Sequence, residues 1–329
     1  TLIGSIICFL SIGFLFLMTL GELQNPFLIS LTGLIMGFSA GLVIPNATMG
    51  AIASAGKLAG SASGFTGAVQ MGFGVIGGSM IAAVGGYELF HLGLLVIIAL
   101  AGGLSLVSNY FFLNETNLNP LGKIVPRLLI SEYYELFSNR LFLTFVIASA
   151  CSVGIFLCMI GFVPYEYSRQ GLSPGEIGVW FAATPVGYMF GNFITSWMAQ
   201  KLGLESMTLI GSIICFLSIG FLFLMTLGEL QNPFLISLTG LVMGFSAGLV
   251  IPNATMGAIA SAGKLAGSAS GFTGALQMGF GVIGGSMIAA VGGYELFHLG
   301  LLVIILMAVL GVAASLMAKS IPLPETARS

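Results

Sequence analysis

The chain has 329 residues, 57% of them hydrophobic and only 6% charged, with a mean hydropathy of +1.09 and a formal net charge of −2 at pH 7. Soluble domains carry about 25% charged residues, so this chain cannot cover a surface in water. It contains no Asp, and its two His, His91 and His298, are too few to suggest a metal site.

Read from the first residue, the chain is a series of runs free of Asp, Glu, Lys, Arg and His: 2–21, 27–56, 58–87, 92–114, 141–165, 177–200, 206–228, 230–263, 265–294 and 299–318. About 20 apolar residues cross a bilayer as a helix. A transmembrane β-strand instead alternates over about ten residues. The pattern therefore predicts an all-α, polytopic transmembrane bundle of ten helices. Thr1 lies inside an apolar run without an initiator Met, which places the expected natural N-terminus upstream.

The text also repeats. Residues 1–98 recur as 208–305, differing only at Ile35/Val242 and Val69/Leu276, and the match stops after Ile98/Ile305. Internal repeats of ancient origin keep a pattern and lose their letters, so near-identity marks a recent duplication, an engineered chimera or a misassembled gene. Functional information is then concentrated in the single-copy middle and the second copy.

Orientation follows from the bias of Lys and Arg towards cytoplasmic loops. With the polar stretch 114–140 (Lys123, Arg127, Arg140) placed inside, Lys57, Lys201, Lys264, Lys319 and Arg328 also fall inside. Of the 9 basic residues only Arg169 falls outside, and both termini are expected in the cytoplasm. Within 114–140, residues Ile124 to Phe137 mix Leu, Tyr, Glu and Arg and read as an amphipathic helix on the membrane surface. This divides the chain into a four-helix N-terminal bundle (1–113), a cytoplasmic linker (114–140) and a six-helix half (141–329).

Several positions in the six-helix half stand out. Ser173-Pro174-Gly175-Glu176 combines an N-cap Ser, a Pro at the first helical position and a Glu three residues after the cap, and so opens a helix over 174–199. That helix carries Pro185 and Asn192. Helix 234–260 carries Gly248, Pro252, Asn253 and Thr255; Pro252 frees the carbonyl of Gly248. Helix 265–291 carries Gly267, Gly271, Ala275 and Gly279 at intervals of four, a smooth ridge of the kind that lets helices approach closely, with Gln277 at its centre. This helix is expected to be buried between others. Asn253, Gln277 and Asn192 are costly towards lipid and read either as interhelical hydrogen bonds or as substrate contacts. Phe156 and Met159 suit an apolar wall, or plain packing. Cys8, Cys151, Cys158 and Cys215 lie in apolar runs and read as small fillers. No ionisable residue sits at the centre of a run, so a proton-coupling residue is not expected in this chain. No phosphate-binding loop, nucleophile–base set or catalytic carboxylate pair is present, so neither an enzyme nor a cofactor site is expected.

From Leu141 onward the order of features resembles the C-terminal half of major facilitator superfamily transporters. Within them it is similar to the bicyclomycin/chloramphenicol-resistance (Bcr/CflA-type) drug:proton antiporters. The residues that carry this are Gln170-Gly171-Leu172-Ser173-Pro174, Gly191-Asn192, Gly248…Pro252-Asn253-Ala254, Ala266-Gly267-Ser268-Ala269-Ser270-Gly271 with Gln277, and the tail Leu323-Pro324-Glu325-Thr326. Ala99–Thr116 looks like the end of the family's sixth helix. The first copy resembles the ninth to twelfth helices and stands where their symmetry mates, the third to sixth, belong. The family's first two helices are missing from this arrangement.

The resemblance implies an alternating-access secondary transporter for multidrug or small-molecule efflux, by proton antiport in the intact parent. Asn253, Gln277, Asn192, Phe156 and Met159 are the candidate substrate contacts; Pro252, Gly267, Gly271, Gly279, Ser173 and Pro174 are structural. The expected partners are an amphiphilic small molecule, protons in the intact parent and the lipid bilayer, with no nucleic acid. The expected form is a monomer in a bacterial-type inner membrane. The alternative is a chimeric or truncated membrane remnant that does not transport.

Overall fold

The computed structural model describes residues 2–21, 25–55, 59–83, 90–98, 103, 107 and 126–321. Residues 114–125 of the linker, most of Ala99–Thr116 and the tail Leu323–Thr326 lie outside them. All described secondary structure is helical. The helices are α1 (Leu2–Leu20), α2 (Pro26–Ala55), α3 (Ala59–Ala83), α4 (Phe90–Ile97), α5 (Pro126–Ser138), α6 (Arg140–Arg169), α7 (Pro174–Phe181), α8 (Ala183–Leu202), α9 (Leu204–Leu227), α10 (Pro233–Ser261), α11 (Ala266–Ala290) and α12 (Phe297–Ser320). Among the described residues eight spans are long and apolar enough to cross a membrane. Of the other two apolar runs, 58–87 contains α3, and 92–114 is described mainly as α4.

The chain divides into two compact units, residues 1–50 with 73–124, and residues 51–72 with 125–329. Residues 51–72, part of the sequence-defined block 1–113, thus belong to the second unit.

In the first unit α1 lies along α2. A Cβ added at Gly4 would meet Val43 Cγ2 at 2.7 Å, and Ser11 Oγ donates to the carbonyl of Thr32 at 3.1 Å. Ile12, Leu15 and Leu94 form the core, with Cys8, Phe16, Met36, Ile97 and Ile98 against it. The second copy builds the same packing from the same letters. A Cβ added at Gly211 would meet Val250 Cγ2 at 2.7 Å, and Ser218 Oγ donates to Thr239 O at 3.1 Å. Ile219, Leu222 and Leu301 occupy the corresponding core. Both copies of the second helix start on an Asn cap, Asn25 accepting from Phe27 N–H at 2.9 Å and Asn232 from Leu235 N–H at 3.0 Å.

The second unit is built around α6, the most deeply buried span, which packs against α10, α11 and α12. Its start is fixed by Asn139, whose Oδ1 accepts from Phe142 N–H at 3.1 Å while Nδ2 donates to Ser261 O at 2.8 Å. One side chain thereby caps α6 and ties it to the end of α10. Along α6, Phe142, Phe145, Ile155, Met159 and Phe162 are buried. Phe162 stacks on Phe297 of α12 at 4.6 Å between ring centroids.

The segment 174–199 is two helices rather than one. Pro185 has no N–H to bond the carbonyl of Phe181, so the helix breaks at Ala182 into α7 and α8. The start of α7 is a reciprocal cap: Ser173 N–H donates to Glu176 Oε2 at 2.9 Å, and Glu176 N–H donates to Ser173 Oγ at 3.4 Å. Pro174 occupies the first helical position.

The closest helix approach is α8 on α10. A Cβ added at Gly187 or Gly191 would collide with the backbone of Leu241 or Phe245, and one at Gly244 or Gly248 with that of Thr184 or Tyr188. Glycines at four-residue spacing on both helices bring the backbones together. The ridge on α11 is arranged differently: no described atom lies within 4 Å of a Cβ placed at Gly267, Gly271 or Gly279. That helix packs through another face, where a Cβ added at Gly281 would meet Leu157 Cδ1 at 2.6 Å and one at Gly284 would meet Cys158 Sγ at 2.5 Å.

Helix α5 docks on the start of α11. Ser268 Oγ donates to Glu132 at 2.5 Å, and Phe272 packs against Tyr133, Phe137 and Phe142 at centroid distances of 5.7, 5.0 and 6.0 Å. A carboxylate at the first turn also complements the helix dipole. Arg169, expected from the charge pattern on the opposite side from the other basic residues, is locally neutralised. Its Nη1 lies 3.4 Å from Glu166 Oε2 and donates to Glu295 O at 2.6 Å, while Gln170 Nε2 donates to Glu166 Oε1 at 2.9 Å.

Candidate functional site

Inside an apolar bundle every polar side chain needs a partner, because water is not at hand to supply one. The candidate amides of the second unit fall into two sets of polar contacts. The first is a trio joining three helices. Gln277 of α11 donates from Nε2 to Ser149 Oγ of α6 at 2.5 Å and to Thr255 Oγ1 of α10 at 3.1 Å, and the two hydroxyls lie 3.2 Å apart. Ser149 is fully buried, whereas Gln277 and Thr255 are half-buried. The amide is therefore held by two hydroxyls while part of its side chain stays accessible.

The second set lies in the α8–α10 contact. Pro252 cannot donate to the carbonyl of Gly248, and Thr195 Oγ1 of α8 donates to it instead at 2.9 Å. Asn253 Nδ2 donates to Thr195 Oγ1 at 3.2 Å and to Leu249 O at 2.7 Å. Asn192 Nδ2 donates to Tyr188 O at 2.8 Å. Both Asn side chains are buried, and neither Oδ1 has a hydrogen-bond partner among the described residues. Gly67 of α3 lies directly against Asn192 Oδ1, and Ser63 donates to Pro252 O at 3.3 Å. The amide oxygen is thus closed off by a glycine backbone, a contact in which a Cα–H points at an oxygen.

The apolar candidates separate too. Phe156 is half-buried and packs on Tyr188, with 5.5 Å between ring centroids. Met159 lies inside the core at 2% exposure. The five residues expected from sequence as substrate contacts are therefore not one cluster. Asn192 and Asn253 share the α8–α10 contact, Phe156 borders it through Tyr188, Gln277 anchors the trio and Met159 packs in the core. Sequence reading missed Ser149, Tyr188 and Thr195 as partners. Single hydroxyls in apolar runs are common helix residues, and only the spatial pairing with an Asn or Gln distinguishes these.

Among the described residues no group of three His, Cys, Asp or Glu side chains could hold a metal ion. Three helices joined by one neutral amide and two hydroxyls offer hydrogen bonds, and the separate Phe156–Tyr188 ring pair offers apolar contact, the means by which a small amphiphilic molecule is held.

A multi-pass bundle of long apolar helices is the architecture of an integral membrane protein. The family model for the Major Facilitator Superfamily matches residues 1–286, and the chain belongs to that superfamily of secondary transporters. No curated protein matches the chain.

Proposed function

We propose that this chain derives from an exporter of small amphiphilic, drug-like molecules of the bicyclomycin/chloramphenicol-resistance type, working by proton antiport in the intact parent, and that Gln277 is its principal polar substrate contact. The observation that carries the reading is the half-buried Gln277 amide, held by Ser149 and Thr255 where three helices meet. A substrate acceptor competes for the amide protons, while the Ser149–Thr255 hydroxyl bond at 3.2 Å is kept. Phe156 and Tyr188 supply an aromatic wall. Asn253 acts by tying α10 to Thr195 of α8, Asn192 bonds within α8, and Met159 fills the core.

Binding of a fluorescent lipophilic cation to the purified chain tests this. Gln277→Ala should weaken binding about fivefold, the equivalent of one hydrogen bond of about 1 kcal/mol. Unchanged affinity in that variant would remove Gln277 from the site.

The near-identical block 1–98 favours a second reading, a chimeric or truncated remnant that folds without transporting. Binding that persists without any flux would favour the remnant.

A further inference from the structure

Near the middle of α6 one hydroxyl is left without a bond. Ser152 is 6% exposed, and its Oγ has no hydrogen-bond partner among the described residues. Asn192 and Asn253 at least bond through their amide nitrogens. A serine or threonine inside a helix commonly bonds a carbonyl one turn back, as Ser315 does to Gly311 and Thr273 to Ala269. Ser152 does neither, and a buried hydroxyl without a partner is costly where no bulk water is at hand.

Ser152 lines a cavity where α6, α9, α10 and α12 meet, with about 10 Å³ open to the centre of a water molecule. That is close to the room one buried water needs. Cys151, Ser212, Cys215 and Gly311 line it as well. The protons of its hydroxyls can be assigned. Ser315 Oγ donates to Gly311 O at 2.7 Å, so the Ser212–Ser315 bond at 2.8 Å takes its proton from Ser212. Ser212 Oγ then offers a further partner a lone pair and no proton, whereas Ser152 offers both.

We propose that this cavity is the binding site of one ordered water molecule, held between Ser152 of α6 and Ser212 of α9. The water donates to Ser212 Oγ and receives the Ser152 proton, with the Cys151 and Cys215 thiols as weak partners. An apolar occupant leaves the Ser152 hydroxyl stranded. A cation meets no carboxylate among the lining residues. Water is small enough for the cavity and both donates and accepts. It completes a chain of hydrogen bonds from Ser152 through Ser212 and Ser315 to the Gly311 carbonyl, and so joins α6 to α9 and α12.

Crystals of the full chain grown from lipid, at a resolution that shows ordered water, test this together with thermal unfolding in detergent. The expected result is one peak within hydrogen-bond reach of both Ser152 Oγ and Ser212 Oγ. Ser152→Ala should melt at a lower temperature, because its water loses a partner. In a dry cavity the same substitution removes only a stranded hydroxyl and raises the melting temperature, and xenon enters pressurised crystals there. Xenon in the cavity, no peak beside Ser152, a peak in contact with the thiols alone, or a melting temperature of Ser152→Ala at or above that of the unmodified chain would each overturn the proposal. The density and the xenon result are read in the unmodified chain, so they decide the matter even if the variant fails to fold.

Discussion

At the scale of single residues, a few hydroxyls decide how amides and a proline are tolerated in an apolar bundle. Thr195 serves two groups at once, the Gly248 carbonyl freed by Pro252 and the Asn253 amide. Replacing it with Val keeps the volume and removes both bonds. Thr195→Val should therefore destabilise the second unit by about 1–3 kcal/mol, the cost of stranding a buried acceptor. Thr195→Ser should recover most of the loss, as read by thermal unfolding in detergent; equal stability of the Val variant would show that the carbonyl finds another donor. The sequence makes Pro252 and the carbonyl it frees legible, because a proline in an apolar run always releases one. It does not reveal the donor, since Thr195 sits 53 positions from Gly248 along the chain and only the α8–α10 approach joins them.

At the scale of helices, small residues matter only where a partner helix arrives. Gly267, Gly271 and Gly279 form the more regular ridge in sequence, yet Gly187, Gly191, Gly244 and Gly248 make the contact. Composition shows that a helix can be approached closely; it does not show from which side a neighbour comes. Gly191→Ala should cost about 1–3 kcal/mol, because the backbone of Phe245 blocks the added methyl. Gly271→Ala, in open space, should stay within about 0.5 kcal/mol or gain slightly from helix propensity. Similar unfolding temperatures for the two variants would contradict this assignment of the helix contact. Helix boundaries were otherwise readable from local chemistry, as at the Ser173–Glu176 cap, whereas the break at Ala182 required giving Pro185 full weight as a lost donor.

At the scale of the whole molecule, the repeat is a repeat of structure for three of its helices. The same glycine contact, serine bond and core trio occur in α1, α2 and α4 as in α9, α10 and α12. Spin labels at Phe14 and Leu34 should thus report the same separation as labels at Phe221 and Leu241, all four being exposed. Clearly different distributions would mean that the first copy packs in its own way. The fold class was legible from hydrophobic run lengths alone, because the bilayer imposes them. The candidate contacts were legible only as residue types, since an intramembrane amide is conspicuous whether it holds helices or cargo. Flux of a fluorescent amphiphilic drug into vesicles under an imposed pH gradient, with this chain and with its intact parent, tests the transport reading most directly. The predicted result is gradient-driven movement of the drug by the intact parent that falls in Gln277→Ala; a parent that moves no drug, or moves it equally in Gln277→Ala, would contradict it.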